Sequence, residues 1–241
     1  MKRIVDITAS FSGLLIAGPL LIPVMVLVWL QDFKSPFYIA PRVGKDGKEF
    51  NMIKLRSMVV SKDNSGADST SSNDSRITSI GRFIRKCKLD ELTQLWNVFA
   101  GSMSLVGPRP NVKNETDLYT NVEKELLSVK PGITDFASII FSDEGEILVG
   151  KKYPDLAYNQ LIRPWKSRLG LIYIEKQSLI LDIQLIFCTI LAILSKKNTL
   201  TWIAKKLHKL DVEEAVITIA KRQVELYPFP PPGTEEIVTQ R

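Results

Sequence analysis

Two acids stand side by side at Asp90 and Glu91, inside the run RKCKLDELTQLWNVFAG. Four bases crowd just upstream: Arg82, Arg85, Lys86 and Lys88. Carboxylates in such a setting attack an electrophile, accept a proton, or hold a hard metal ion. Leu89, Leu92, Leu95, Trp96 and Phe99 recur at helical spacing, so the pair is expected in the first turn of an amphipathic helix. There the backbone dipoles favour negative charge, on the carboxylates and on a phosphate ligand alike. Adjacent helical positions point about 100° apart, so the two acids should divide the work rather than share it. Simple stabilisation of a helix N-terminus is the competing reading of the same pair.

Other residues narrow the chemistry. Arg109 lies between Pro108 and Pro110 in SLVGPRP, on a stiff, non-helical backbone suited to presenting a guanidinium to a phosphate. KPGIT, at 130–134, reads as a tight structural turn. Asp182 is the one acid in SLILDIQLIFCTILAIL and needs a partner, either in a site or in a structural ion pair. His208 is the single histidine, set among lysines, which excludes most histidine acid–base, Ser–His and zinc chemistry. Cys87 and Cys188 have no metal-ligand spacing, and no P-loop or GxGxxG pattern occurs. An enzyme built from this chain works with carboxylates, arginines and a hard metal ion.

The elements that must position these residues begin with an anchor. Residues 7–30 carry no charge, and a helix of that length reaches about 36 Å, enough for a hydrocarbon core of about 30 Å. The run is too long for a signal peptide and lacks a small-residue cleavage site. Lys2 and Arg3 precede it, while Lys34, Arg42, Lys45 and Lys48 follow, so both flanks favour the cytoplasm. Pro19 and Pro23 deprive the carbonyls of Leu15 and Pro19 of helical partners, so a kink is expected. A helix that enters and leaves by one face then competes with a kinked spanning helix.

Beyond the anchor, 36–40 and 50–55 read as a hairpin around GKDGKE. Residues 61–75 read as a polar surface loop, either a linker or a lid. Two helices with a break near Cys87–Lys88 follow. TLTWIAKKLHKL reads as an interfacial helix, and YPFPPPG leads into an extended tail. The formal charge of +6 points to an anionic partner, whether nucleic acid, phosphorylated small molecule or acidic lipid, or simply aids solubility.

Together, RVGKDGKEFNMIKLRSM, RITSIGRFIRKCKLDELTQLWNVFAGSMSLVGPRP and KPGIT resemble the bacterial sugar transferase family, the monotopic phosphoglycosyl transferases, from the anchor to about Leu194. The resemblance implies an α+β fold: a re-entrant membrane helix (1–33) and a cytoplasmic catalytic domain (34–198) with a small hairpin and mainly helices, while the interfacial helix and tail (199–241) lie beyond the match. It implies a protein of the bacterial inner membrane with its active site at the cytoplasmic surface. An aspartate would attack the β-phosphorus of a UDP-sugar with Mg²⁺ present, and the phosphosugar would pass to polyprenol (undecaprenyl) phosphate. The family's Asp-Glu dyad falls on Asp90 and Glu91, as catalytic residues and metal ligands. Its arginines fall on Arg85 and Arg109 and its late acid on Asp182, all three on the phosphate side of the site. The implied partners are the UDP-sugar, the polyprenol phosphate and membrane lipids, not nucleic acid.

Two departures stand out. After KPGIT the family usually continues Gly-Trp-Ala-Gln-Val, with an arginine soon after; here the chain reads DFASIIFSDEGEIL, with no arginine between Lys130 and Arg163. The anchor's break, often Ser-Pro, is Ile22-Pro23. Two rival functions remain: a glycosyltransferase that extends a lipid-linked sugar, and a non-catalytic membrane adaptor that binds acidic lipids and tolerates change at Asp90 and Glu91.

Overall fold

The computed structural model describes residues 1–60 and 71–240. The expected loop at 61–75 therefore falls mostly outside the described residues. The chain is α+β, mainly helical. It opens with α1 (Lys2–Leu30), followed by an antiparallel hairpin of β1 (Phe37–Val43) and β2 (Glu49–Leu55). Helices α2 (Ser79–Lys86), α3 (Leu89–Leu92) and α4 (Leu95–Ala100) lead to β3 (Ser104–Val106). After α5 (Lys113–Thr116), β4 (Gly132–Thr134) pairs parallel with β3. Up to Ala220 the rest is mainly helical: α6 (Phe136–Ile140), α7 (Glu144–Ile147), α8 (Pro154–Leu161), α9 (Arg163–Lys176), α10 (Leu179–Leu194), α11 (Lys196–Lys209) and α12 (Glu214–Ala220).

The hairpin forms where expected, and its strands run closer to the turn. Val43 pairs with Glu49, because Asp46 (φ 58°) and Gly47 (φ 74°) take the positive-φ conformations that reverse a chain tightly. Helix α1 is the one described helix long and apolar enough to cross a membrane. It runs through Pro19 and Pro23 as one helix. Along one side Ala17, Leu21, Val24 and Val28 pack with Leu55, Ile84 and Leu89 of the body, while Phe11, Leu15, Ile16, Leu20 and Ile22 stay exposed.

Both ends of α1 are tied to that same body. At the start, Arg3 donates to the carbonyls of Val98 (2.5 Å) and Phe99 (2.8 Å), and Asp6 accepts from Ser104 Oγ (2.9 Å) and the Leu105 amide (3.0 Å). Just past the end, Arg56 binds both carboxylate oxygens of Asp32 at 2.5 and 2.6 Å. The main core gathers around Phe136, Trp165, Leu169 and Leu185. It also takes in Leu200, Ile203 and Leu207 of α11 and Val216, Ile217 and Ala220 of α12. One face of the expected interfacial helix is thus core, with Lys197, Lys205 and Lys209 outside. The proline-rich tail is extended, but it is strapped down: Phe229 stacks on Trp165 (centroids 4.4 Å apart), and Thr120 Oγ1 donates to the Pro232 carbonyl at 2.5 Å.

Candidate active site

Helix α2 starts on a cap, with Thr78 Oγ1 accepting from the Gly81 amide at 2.9 Å. It packs so tightly that a Cβ at position 81 would lie 1.9 Å from the Ser57 carbonyl oxygen. Ser57 directly follows β2, so this contact sets α2 against the hairpin. The helix ends at Cys87, and Lys88 then adopts a left-handed conformation (φ 55°, ψ 25°). In a non-glycine residue that conformation costs about 1–2 kcal/mol, the kind of strain kept where a particular placement is needed. It restarts the chain as α3, which lays Asp90 and Glu91 against β2.

Here one expectation is corrected. The acids do not open a long helix: α3 is one turn, Leu89–Leu92, and α4 begins separately at Leu95. Thr93 sits at the junction, its hydroxyl within 3.1 Å of both the Ile53 and Asp90 carbonyls. Thr93 and Gln94 keep right-handed helical angles, so the backbone runs on through the junction, and the two acids stay in its first turn. The charges that act on them come from side chains.

Those side chains are Arg109, Lys54, Lys88 and Arg85. Glu91 Oε1 pairs with Arg109 Nη2 at 3.0 Å. Burial raises the Glu91 carboxyl, but Arg109, then Lys88 and Lys54, outweigh it and hold the group at about 2. Arg109 is raised in turn, chiefly by Glu91. Asp90 behaves in the opposite way. Burial pushes its carboxyl up and Glu91 adds to this, while Lys54, Lys88 and Arg109 pull it down without cancelling the rise. Its Oδ1 is buried and makes no hydrogen bond. The two acids thus differ electrostatically: Glu91 is locked in an ion pair, and Asp90 has a buried oxygen without a hydrogen-bond partner.

Arg109 owes its place to a backbone contact between SLVGPRP and KPGIT. The Gly107 amide donates to the Thr134 carbonyl and the Gly132 amide to the Pro108 carbonyl, each at 2.9 Å. A Cβ on Gly132 would come 2.1 Å from the Gly107 nitrogen, so only glycine permits the approach. Arg109 Nη1 then donates to the Ile133 carbonyl at 3.2 Å. KPGIT is not the tight turn expected: Gly132–Thr134 is strand β4, paired with β3, and what it builds is the seat of this arginine.

Arg85 stands beside the pair. Its Nε donates to Ser57 Oγ at 2.9 Å; burial lowers the guanidinium, and the Asp90 charge opposes that. Asp182 is engaged elsewhere. Its Oδ2 takes Lys2 Nζ at 2.5 Å and its Oδ1 the Tyr173 hydroxyl at 2.6 Å, so this carboxylate holds the first turn of α1. The contacts bring Asp90, Glu91, Arg85 and Arg109 together and leave Asp182 with the anchor.

Lys54 is the residue that motif reading missed. Burial first, then Arg109, pushes its ammonium down to about 8, and Glu91 and Asp90 limit the fall. The available signal was a lone charge in the apolar run Met52–Leu55 of a strand, where lysine is unexpected unless it meets a partner. Asp135 was also passed over. It is buried, capping α6 through Ser138, and it lines a cavity of about 30 Å³ with Arg109 and Lys166.

No group of three or more His, Cys, Asp and Glu side chains gathers for a metal among the described residues. Mg²⁺ is usually held by one or two carboxylates with substrate phosphates and water. Asp90, with its unpartnered oxygen, and Glu91 fit that more open arrangement.

Two acids shifted in opposite directions thus lie among cations beside an apolar helix. The sequence pattern of a family described as "Bacterial sugar transferase" matches residues 1–196. The chain belongs to the bacterial sugar transferase family. Over 152 residues it is 41% identical to the undecaprenyl-phosphate galactose phosphotransferase of Salmonella typhimurium, covering 56% of this chain and 31% of the relative. It is 32% identical over 198 residues to the UDP-N-acetylgalactosamine-undecaprenyl-phosphate N-acetylgalactosaminephosphotransferase of Aeromonas hydrophila, covering 81% and 44%. A Bacillus subtilis protein provisionally named an undecaprenyl-phosphate N-acetylgalactosaminyl 1-phosphate transferase is 42% identical over 121 residues, covering 50% and 68%. The chain therefore spans less than half the length of two of these three relatives.

Proposed function

We propose that the chain is a phosphoglycosyl transferase, moving a sugar-1-phosphate from a UDP-sugar to undecaprenyl phosphate through a covalent Asp90 intermediate. The observation that carries this reading is Asp90 itself: a buried carboxyl with an unpartnered Oδ1, acted on by Lys54, Lys88 and Arg109, beside an acid already locked to an arginine. The names of the relatives support the acceptor and the sugar phosphate, and one of them names a UDP-sugar.

In the first displacement an Asp90 oxygen bonds to the β-phosphorus, and the bond from that phosphorus to the bridging oxygen breaks, releasing UMP. In the second, an acceptor phosphate oxygen bonds to the same phosphorus, and Asp90 leaves as a carboxylate. Lys54 and Lys88 favour the ionised nucleophile at the start and at the end. Arg109 holds Glu91 ionised, and Arg85 and Arg109 supply guanidinium donors for phosphate oxygens. Mg²⁺ bound by Asp90 or Glu91 would offset charge on the phosphoryl oxygens.

The membrane setting follows from α1. A helix apolar on its outer face, with both ends fastened to one body, supports entry and exit on one side of the membrane. In this reading the body faces the cytoplasm, where nucleotide sugars are made. Neither rival needs a buried carboxylate without a partner.

A panel of UDP-sugars offered with Mg²⁺ and undecaprenyl phosphate tests the reading. One donor should give UMP and a lipid diphosphate sugar in equal amounts. Turnover that needs a lipid-linked sugar as acceptor and releases UDP would favour a glycosyltransferase, and no turnover with either acceptor would favour the adaptor.

A further inference from the structure

Resting on that reading, we propose that Arg222, in the C-terminal segment outside the family-matched residues 1–196, is a positioning residue for the catalytic centre, acting through Asp143. Three consecutive residues make the connection. Ser142 accepts from Lys88 Nζ at 3.4 Å, and Lys88 is the left-handed residue that launches the Asp90 turn. Asp143 Oδ2 takes Arg222 Nη2 at 3.2 Å and Lys196 Nζ at 3.0 Å. Glu144 Oε2 takes Lys166 Nζ at 2.6 Å, and Lys166 lines the small cavity with Arg109. One turn thus reaches Asp90's neighbour on one side and Arg109's neighbour on the other. Its central residue is gripped from the C-terminal end of the chain.

The grip is rigidly mounted. Arg222 follows α12, whose Val216, Ile217, Ile219 and Ala220 are core residues, and its own backbone is left-handed (φ 53°). The guanidinium also lies over the Phe141 ring, 5.4 Å from the centroid, so it fixes the turn from two directions. Arg222 Nε and Asp143 Oδ1 are both buried without hydrogen-bond partners. The pair uses one of the two contacts an arginine–carboxylate fork can make.

The test compares Arg222→Met, Arg222→Lys, Asp143→Asn and the double variant Asp143→Asn/Arg222→Met, with Lys221→Met as the neighbouring control. Two quantities are read: UMP release with saturating acceptor, and amide exchange of residues 141–147. Arg222→Met should lower kcat about 10-fold, the scale of a small misplacement of catalytic groups, with little change in donor KM. Exchange of the turn should rise, Arg222→Lys should recover part of both effects, and Lys221→Met should change neither. The double variant should fall well short of additive and lie close to Asp143→Asn, because the charge pair with Asp143 is the main grip of Arg222 and only its contact with the Phe141 ring is left. Wild-type kcat in Arg222→Met, or additive losses in the double variant, would overturn the proposal. If Arg222→Met does not fold, Arg222→Lys against Asp143→Asn decides by the same measures. Failure of the transferase reading would show separately, as no UMP release by the wild type, while the exchange data still judge the clamp.

Discussion

At the scale of single residues, the site is a balance between burial and charge, and Lys54 is where that balance can be probed. Its ammonium sits at about 8, so raising the pH through that value removes a positive charge that favours ionised Asp90. The expected kcat/KM profile falls on its basic side near there. Lys54→Arg keeps the charge and should move that limb upward. Lys54→Met leaves Asp90 with less opposing charge, raises its already elevated pKa, and should shift the acidic limb upward while lowering the maximum. Arg109 poses a different question, because it binds Glu91 and can bind phosphate. Arg109→Ala should cost roughly 10- to 150-fold in kcat/KM, as expected for charge-assisted hydrogen bonds of about 1.5–3 kcal/mol. Lysine there should rescue in part, lacking the planar fork. The Glu91–Arg109 pair also links stability to pH. A carboxyl held at about 2 contributes stability in full above its ordinary value of 4.5, and that contribution is lost as the pH falls through 2. Acid titration of unfolding in Glu91→Gln against wild type should show that difference shrink at low pH.

At the scale of elements, the site depends on backbones that touch. Gly81→Ala drives a methyl against the Ser57 carbonyl, and Gly132→Ala drives one against the Gly107 backbone. Each should cost roughly 1–3 kcal/mol and lower the apparent Tm by about 2–10 °C. Gly18→Ala on α1, where a methyl meets nothing within 4 Å, should not destabilise and should raise the apparent Tm slightly, through the higher helix propensity of alanine. These contacts also mark the limit of what the sequence reveals. The apolar N-terminal helix, the hairpin and the break at Cys87–Lys88 were legible, because apolar runs and turn residues are local signals, and Asp90, Glu91 and Arg109 stood out one by one as charged motifs. The extra break after Leu92 was not, since it depends on Thr93 reaching the Ile53 carbonyl of a distant strand. Nor was the β3–β4 pairing, which joins SLVGPRP to KPGIT across a long stretch of chain. Lys54 was hidden for the same reason: its partners come from α3 and the Arg109 loop. Lys2 and Arg3 read as topology signals, yet each side chain is bound by the body.

At the scale of the whole molecule, one body holds both ends of an apolar helix and sets Asp90 beside it. A cysteine at position 2 should therefore resist membrane-impermeant labelling from outside intact cells. Labelling there would mean that α1 spans. Such an arrangement suits a reaction whose acceptor stays in the bilayer and whose donor stays in water, with the phosphosugar parked on the protein between the two. The central claim is that parking step. The direct measurement is the intact mass of the protein after incubation with its UDP-sugar and Mg²⁺, without lipid acceptor. The account predicts a mass increase of one phosphosugar, mapped to Asp90, discharged by undecaprenyl phosphate and absent in Asp90→Asn. Full turnover by Asp90→Asn, or an adduct mapped to any other residue, would contradict it.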